Sequence, residues 1–85
     1  MFGLSKERPV TAYLLATVEP NKEYELAEEI RKMPGVKKVT ITFGMWDLVV
    51  EIEAPNREEL GRIVTKIREG LKERGLERTC TLLGI

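Results

Sequence analysis

The 85-residue sequence contains no histidine and no glutamine, a single cysteine (Cys80) and, among its 14 acidic residues, a single aspartate (Asp47). Without histidine, the chain lacks the commonest general base and the commonest metal ligand. One cysteine cannot form an internal disulfide, a pattern typical of proteins in the reducing cytoplasm. We therefore expect a cytoplasmic protein that is not an enzyme and has no catalytic residues, metal or cofactor.

Net charge and long apolar runs are also missing. The 14 basic residues balance the 14 acidic ones, whereas a domain that binds nucleic acid directly normally carries net positive charge. No apolar run approaches the roughly 20 residues that a membrane span needs. The sequence thus predicts no direct contact with nucleic acid or membrane. Its richness in Glu, Lys and Arg indicates a thermophilic source.

Alternating apolar residues predict four strands in one domain over residues 10–85, which follows a tail over residues 1–9. The strands are predicted at residues 10–18, 36–43, 46–54 and 78–85. A tight turn at Gly44 and Met45 joins the second and third strands. Apolar residues at helical spacing predict one helix after the first strand and another after the third.

The two predicted helices begin in similar sequences, Glu-Pro-Asn-Lys-Glu from Glu19 and Ala-Pro-Asn-Arg-Glu from Ala54. Asn21 and Asn56 are the predicted N-caps. The second helix is predicted to end at Gly75 or, alternatively, at Gly70. Two βαβ halves with right-handed crossovers predict an α+β, ferredoxin-like βαββαβ fold with antiparallel sheet order 4-1-3-2 and both helices on one face.

The sheet face away from the helices is predicted to mix threonines with apolar side chains. It would carry Thr11, Tyr13, Leu15, Thr17, Thr40, Thr42, Val49, Thr79, Thr81, Leu83 and Ile85. Such a face is too apolar to be left in water, so we expect a sheet-on-sheet homodimer, a dimeric α+β barrel, with a monomer as the alternative. Its interface would contain Tyr13, Leu15, Val49 and Leu83. Cys80 is predicted on the helix-facing side, as a small buried apolar group.

Several short motifs occur in a characteristic order along the domain. They are Ala12-Tyr13, Met33-Pro34-Gly35-Val36, Phe43-Gly44-Met45-Trp46-Asp47-Leu48-Val49 and Arg78-Thr79-Cys80-Thr81. Together they resemble the ligand-binding (RAM) domain of Lrp/AsnC transcription regulators. Members of that family usually carry an N-terminal winged helix-turn-helix, whereas only nine residues precede the domain here. The resemblance therefore implies a stand-alone domain that lacks the DNA-binding domain.

The resemblance also implies a function and an assembly. Domains of this family sense amino acids, so it implies an amino-acid (or amino-acid-like small-molecule) sensor that acts as a transcriptional co-regulator. Family dimers often assemble into rings of four or five, which implies an octamer or decamer with an amino acid at each dimer–dimer contact. Full-length Lrp/AsnC regulators are further implied partners.

By the same resemblance, the ligand site would be formed by Gly44, Met45, Trp46, Asp47, Thr79 and Thr81. The Asp47 carboxylate suits an ammonium group, and backbone amides around Gly44 with the threonine hydroxyls suit a carboxylate. We place the hairpin and Thr79 at opposite ends of the sheet, and the second and last strands roughly 14 Å apart. A pocket that uses both would therefore be shared between subunits.

Other interpretations of these residues remain open. Asp47 would instead cap the hairpin, Trp46 would be a packing anchor, and the threonines would reflect β-propensity. The whole chain would alternatively be an assembly partner of full-length regulators or of a metabolic enzyme, with no ligand of its own. Two less favoured alternatives are a small α+β barrel enzyme, which normally needs a histidine or polar cluster in its cavity, and an ACT-type regulatory domain with a ligand near Pro20.

Overall fold

The computed structural model describes residues 8–85. Most of the predicted tail, residues 1–7, lies outside the described residues. The order of the elements is β1 (Val10–Val18), α1 (Glu23–Arg31), β2 (Val36–Ile41), β3 (Leu48–Ala54), α2 (Arg57–Leu71), a 3-10 turn (Lys72–Arg74) and β4 (Leu76–Leu83).

The four strands form one antiparallel sheet in the order β2-β3-β1-β4. This is the predicted order 4-1-3-2, read from the other edge, so the ferredoxin-like topology is confirmed. Buried side chains alternate with more exposed ones along the central strands β1 and β3. Leu14 pairs with Val50 and Ala12 pairs with Ile52, and all four residues are fully buried. Burial of these side chains against the helices is the main stabilising contribution, at about 1.5–3 kcal/mol for each large apolar side chain.

The helix layer covers the sheet unevenly. Helix α1 packs mainly against β2, and α2 packs against β3 and β1 with little contact to β4. Leu26 and Ile30 of α1 and Ile67 of α2 supply fully buried side chains. As a result, the helix-facing side of the edge strand β4 is left partly open.

The two helices begin differently despite their similar sequences. The Asn56 side chain accepts a hydrogen bond from the Glu59 amide at 2.8 Å, as predicted for an N-cap. The prediction for Asn21 is wrong: Lys22 is the N-cap of α1 and its side chain makes no capping bond. Asn21 instead adopts a left-handed conformation with φ 71°, one that asparagine tolerates better than most residues.

The helical segment that begins with α2 ends at Gly75, the first of its two predicted ends. Its last turn tightens into the 3-10 turn, and Gly75 follows with φ 122°. Leu76 is then buried just beyond the glycine, and β4 begins there, two residues before the predicted start. The alternative end at Gly70 is wrong, since this residue lies within α2.

A β-bulge near the start of β4 reverses the predicted orientation of the strand. Leu76 pairs with Val18 but Arg78 pairs with the adjacent Thr17, so Glu77 is the extra residue. Directly paired residues share a face, so Thr79, Thr81 and Leu83, which pair with Ala16, Leu14 and Ala12, lie on the helix-facing side. Arg78, Cys80 and Leu82 lie on the open face. The predicted faces of Thr79, Thr81, Leu83 and Cys80 are therefore wrong.

The β2–β3 connection is longer than the predicted tight turn. Strand β2 ends at Ile41 and β3 begins at Leu48, so Phe43 and Trp46 belong to the loop. Thr42 closes this loop, because its amide donates to the Asp47 carbonyl at 2.9 Å and its hydroxyl donates to the Trp46 carbonyl at 2.7 Å.

Candidate ligand site

The β2–β3 loop and the start of β4 lie at the same end of the sheet. Ala16, near the end of β1, pairs with Leu48 on one side and with Thr79 on the other. Both neighbours run antiparallel to β1, so both begin where β1 ends. Two strand spacings, about 10 Å, therefore separate Leu48 from Thr79. The predicted placement of the hairpin and Thr79 at opposite ends is wrong, and the topology does not require a second subunit to join them.

Asp47 is held at this end of the sheet by three hydrogen bonds. Its amide donates to the Ala16 carbonyl at 2.8 Å, and its carbonyl accepts from Thr42. Its carboxylate accepts a hydrogen bond from the Val18 amide at 2.9 Å through Oδ2. The carboxylate thus joins the loop to the last residue of β1. An ionised carboxylate can accept several hydrogen bonds, so this contact leaves capacity for another donor.

A cavity of about 330 Å³ opens beside Trp46 and Thr79. It lies between the last turn of α2, the start of β4 and the β2–β3 loop. Its volume is at the lower end of the range of small-molecule sites, about 300–1,000 Å³. The lining residues are Trp46, Arg68, Glu69, Lys72, Leu76, Glu77, Arg78 and Thr79.

Arg78 connects the two sides of the cavity. Its guanidinium carbon lies 5.4 Å from the centroid of the Trp46 ring, which is within range of a cation–π interaction. Its amide donates to the Thr17 hydroxyl at 3.0 Å, so the backbone is also anchored at the bulge. Trp46 and Arg78 therefore form one wall built from two separate elements.

Comparison with known proteins decides the family of this chain. The sequence model of the Lrp/AsnC ligand binding domain matches residues 11–83. The chain belongs to the Lrp/AsnC family. The match extends from β1 to the end of β4, and it confirms the resemblance inferred from the sequence motifs.

A relative and a solved structure resemble this Lrp/AsnC domain closely. An uncharacterised HTH-type transcriptional regulator of Pyrococcus abyssi is 42% identical in an alignment 77 residues long, which covers 86% of this chain and 49% of the relative. A crystal structure from Thermus thermophilus superimposes with a TM-score of 0.80 at 36% identity and covers 89% of this chain and 92% of that one. The domain thus spans about half the length of the curated relatives it matches.

A more distant structure is similar in fold alone. It is a transcriptional regulator of Neisseria meningitidis in complex with L-Met, with a TM-score of 0.73 at 15% identity, covering 89% of this chain and 49% of that one.

Among the helices described for residues 8–85, none is long and apolar enough to span a membrane.

The structure brings together only some of the residues predicted for the ligand site. Trp46 and Thr79 line the cavity, whereas Gly44, Met45, Asp47 and Thr81 do not. Met45 is 78% exposed at the tip of the loop. Thr81 is exposed on the same face of β4 as Thr79, two residues further along the strand.

The charged lining of the cavity was missed from the sequence. From the sequence, Arg78 is recognised only as part of a family motif. Arg68, Glu69, Lys72 and Glu77 are not singled out there. Arg68 and Lys72 lie one helical turn apart, a spacing that places both on one face of α2. That spacing was visible in the sequence, but only the tertiary structure shows that this face meets β4 and Trp46.

The open sheet face of this Lrp/AsnC domain presents a continuous apolar centre. One row across the four strands is Thr40, Val49, Leu15 and Cys80, and the next is Lys38, Glu51, Tyr13 and Leu82. Tyr13 is 39% exposed and Leu82 50% exposed. Leu82 occupies the position predicted for Leu83, and Cys80 extends the apolar row.

Proposed function

We propose that this Lrp/AsnC domain senses an amino acid or an amino-acid-like small molecule and self-associates, in the regulation of transcription rather than in catalysis. The observation that carries this proposal is the convergence of Trp46, Asp47 and Thr79 at one end of the sheet beside a 330 Å³ cavity. The L-Met bound by the Neisseria regulator supports an amino acid as the class of ligand.

The residues around this end suit both groups of an amino acid. Asp47 offers a carboxylate, already oriented by the Val18 amide, to the ligand ammonium. The Thr79 hydroxyl, with Thr81 beyond it and the backbone amides near Gly44, offers donors to the ligand carboxylate. Trp46 supplies an apolar wall, which small-molecule sites commonly combine with a few placed polar groups.

Two different surfaces support the proposed assembly. The apolar centre of the open face, formed by Tyr13, Leu15, Val49, Cys80 and Leu82, would pack against the same face of a second copy. The helix-facing side of β4 is only partly covered by the helices, and it carries exposed Thr81 and 51% exposed Leu83. This side would meet a neighbouring dimer. Met45 at the exposed loop tip would add to this second contact.

This arrangement leads to a ring of dimers, an octamer or decamer, with an amino acid at each dimer–dimer contact. Ligand binding and ring formation would then be linked, because a ligand that prefers the assembled state stabilises it by mass action. The same dimer face would allow assembly with full-length Lrp/AsnC regulators in the cytoplasm.

A role outside catalysis is supported by the composition of the chain. The whole sequence lacks histidine, the commonest general base. The relatives are also named as transcriptional regulators.

The test is a thermal-shift screen of the purified chain against the twenty amino acids, with native mass spectrometry to follow stoichiometry. We expect at least one amino acid to raise the melting temperature and to change the population of rings. Asp47→Asn keeps an oxygen that accepts from the Val18 amide but removes the charge. It should weaken the best ligand about tenfold or more, while the melting temperature without ligand changes little.

Two outcomes would contradict the proposal. If Asp47→Asn binds the best ligand as tightly as the wild type does, Asp47 does not belong to the site. Absence of any stabilising amino acid, together with formation of mixed complexes with a full-length regulator, would favour the assembly partner without a ligand.

A further inference from the structure

The two edge strands of the sheet, β2 and β4, differ in how their outer edges are protected. On β2, the Val39 carbonyl accepts a hydrogen bond from the Arg31 guanidinium at 3.3 Å. Lys37 and Lys38 lie on the same strand, and Lys37 is the extra residue of a bulge. Lysines, bulges and covering groups are devices by which natural sheets prevent edge-to-edge pairing. The β2 edge is therefore protected against pairing with another strand.

The β4 edge has no such protection beyond its bulge at Glu77. Residues 79–83, Thr-Cys-Thr-Leu-Leu, contain no charge and no proline. Among residues 8–85, no side chain makes a hydrogen bond to the backbone of this stretch. An uncharged and uncovered edge of this kind is a ready template for another strand.

The hydrogen bond at the end of β4 shows which backbone groups point outwards. The Gly84 amide donates to the Thr11 carbonyl of β1's end of the sheet at 2.7 Å. Along an antiparallel strand, successive residues direct their backbone groups to opposite sides. Every second residue counted back from Leu83 therefore directs its amide and carbonyl away from β1. These residues are Thr79, Thr81 and Leu83.

We infer that β4 pairs antiparallel with β4 of a copy in the neighbouring dimer, about a two-fold axis at Cys80. The inference rests on the ring of dimers proposed above and identifies its contact. The segment Thr79-Cys80-Thr81 reads the same in both directions, so this register places each Thr79 opposite Thr81 of the partner subunit. Threonine pairs of this kind stabilise antiparallel sheets. Arg78 is placed opposite Leu82 of the partner subunit, so no like charges meet there.

Symmetry supports a second copy as the occupant of this edge. Each copy has one β4 edge, so each dimer has two, which is the number of contacts that a closed ring requires from each of its dimers. The pairing also places Thr81 of the partner subunit beside Thr79, which lines the cavity at Trp46. Thr81 does not line this cavity within one copy, and neighbouring dimers would thus complete the site together.

Cys80 provides a direct test of the register. In an antiparallel sheet, the Cα atoms of a directly opposed pair without hydrogen bonds lie about 4.5 Å apart, within the range that a disulfide spans. Oxidation of the full chain with diamide should therefore join two copies covalently through Cys80. The Cys80→Ala variant should give no covalent dimer.

Two adjacent leucines distinguish the edge contact from the face-to-face dimer. Leu82→Asp disrupts the open face but places its carboxylate opposite Arg78 of the partner subunit, so the cross-link should be kept. Leu83→Asp places a carboxylate near Glu77 of the partner subunit. It should slow cross-linking about tenfold or more, because two like-charge contacts form at each axis.

Hydrogen–deuterium exchange tests the same contact without oxidation. The outward amides of Thr79 and Thr81 have no acceptor in β1, so they should exchange rapidly in free dimers, for which Leu83→Asp is the reference. In wild-type rings, both amides should exchange about tenfold or more slowly, because each gains a hydrogen bond from the opposing strand.

The outcomes separate this inference from the proposed function. The inference is overturned, while amino-acid sensing and rings stand, if rings form but the two amides exchange as in free dimers. A cross-link that is absent from wild-type rings, or that Leu82→Asp abolishes and Leu83→Asp keeps, overturns it equally. If the chain binds no amino acid and forms no assembly beyond a dimer, the proposed function fails and the inference fails with it.

Discussion

Single residues of this Lrp/AsnC domain have roles that depend on distant neighbours. Gly35 follows the first helix, directly after Pro34. The structure gives it a packing role, because Gly35 has φ 90° and a Cβ built there would overlap Ile63 Cδ1 of α2. Its carbonyl also accepts from the Glu53 amide at 2.9 Å. One position thus joins the end of α1 to β3 and α2.

Gly35→Ala should lower the free energy of unfolding by about 1–3 kcal/mol, because alanine is strained at positive φ and the added methyl displaces Ile63. Urea denaturation measures the change. The control is Gly61→Ala in α2, where an added Cβ meets no atom within 4 Å; this variant should be more stable by about 0.5–1 kcal/mol. Equal stability of the two variants would contradict this role for Gly35.

At the scale of elements, the two Pro-Asn pairs show how one dipeptide serves two local structures. Asn56 is extended, with φ −155°, and its side chain caps α2. Asn21 is left-handed and forms a turn before Lys22, whose amide donates to the Glu19 carbonyl at 3.1 Å. The sequence similarity of the two halves therefore extends to element order but not to the start of each helix.

Asn56→Ala should lower the free energy of unfolding by about 1 kcal/mol, because the hydrogen bond from the Glu59 amide is lost. Asn56→Asp keeps an acceptor for that hydrogen bond and should be nearly as stable as the wild type. At Asn21, glycine rather than aspartate should be the tolerated substitution, since positive φ and not capping is the requirement there. Thermal denaturation of the four single variants checks both expectations. If Asn21→Gly lowers the stability of the domain as much as Asn56→Ala does, both asparagines act as caps.

At the scale of the whole molecule, the bulge at Glu77 decides which β4 residues reach each surface. Leu82 and Leu83 are 50% and 51% exposed, yet they lie on opposite faces of the sheet. Leu82 is beside Tyr13 in the face proposed for the dimer, and Leu83 is on the side proposed for contacts between dimers. Two adjacent leucines thus distinguish the two surfaces.

Leu82→Asp should raise the dimer dissociation constant about a hundredfold or more, because each dimer would bury two unpaired charges in an apolar interface. Leu83→Asp, the matched control, should keep the dimer and weaken only the ring. Sedimentation velocity across a range of protein concentrations measures both. Retention of a tight dimer by Leu82→Asp would contradict the proposed interface, as would a wild-type chain that is monomeric at micromolar concentration.

Local sequence patterns determined most of the fold. The alternation in β1, the apolar spacing of the helices and the cap at Asn56 depend on neighbours within a few residues, and so they could be predicted without the tertiary structure. The right-handed crossover rule then led to the strand order and to both helices on one face. The motif order was also sufficient to identify the family.

The tertiary structure alone decided the faces of β4 and the composition of the cavity. A bulge inserts one residue, and one residue reverses every side chain that follows. The apolar pattern of β4 did not reveal it, since Leu82 and Leu83 place an apolar side chain on each face. The cavity joins Trp46, Arg68 and Arg78, which are far apart in the chain and meet only because β3 and β4 both begin where β1 ends. Contacts of that kind depend on strand register and on packing between elements, which local periodicity does not encode.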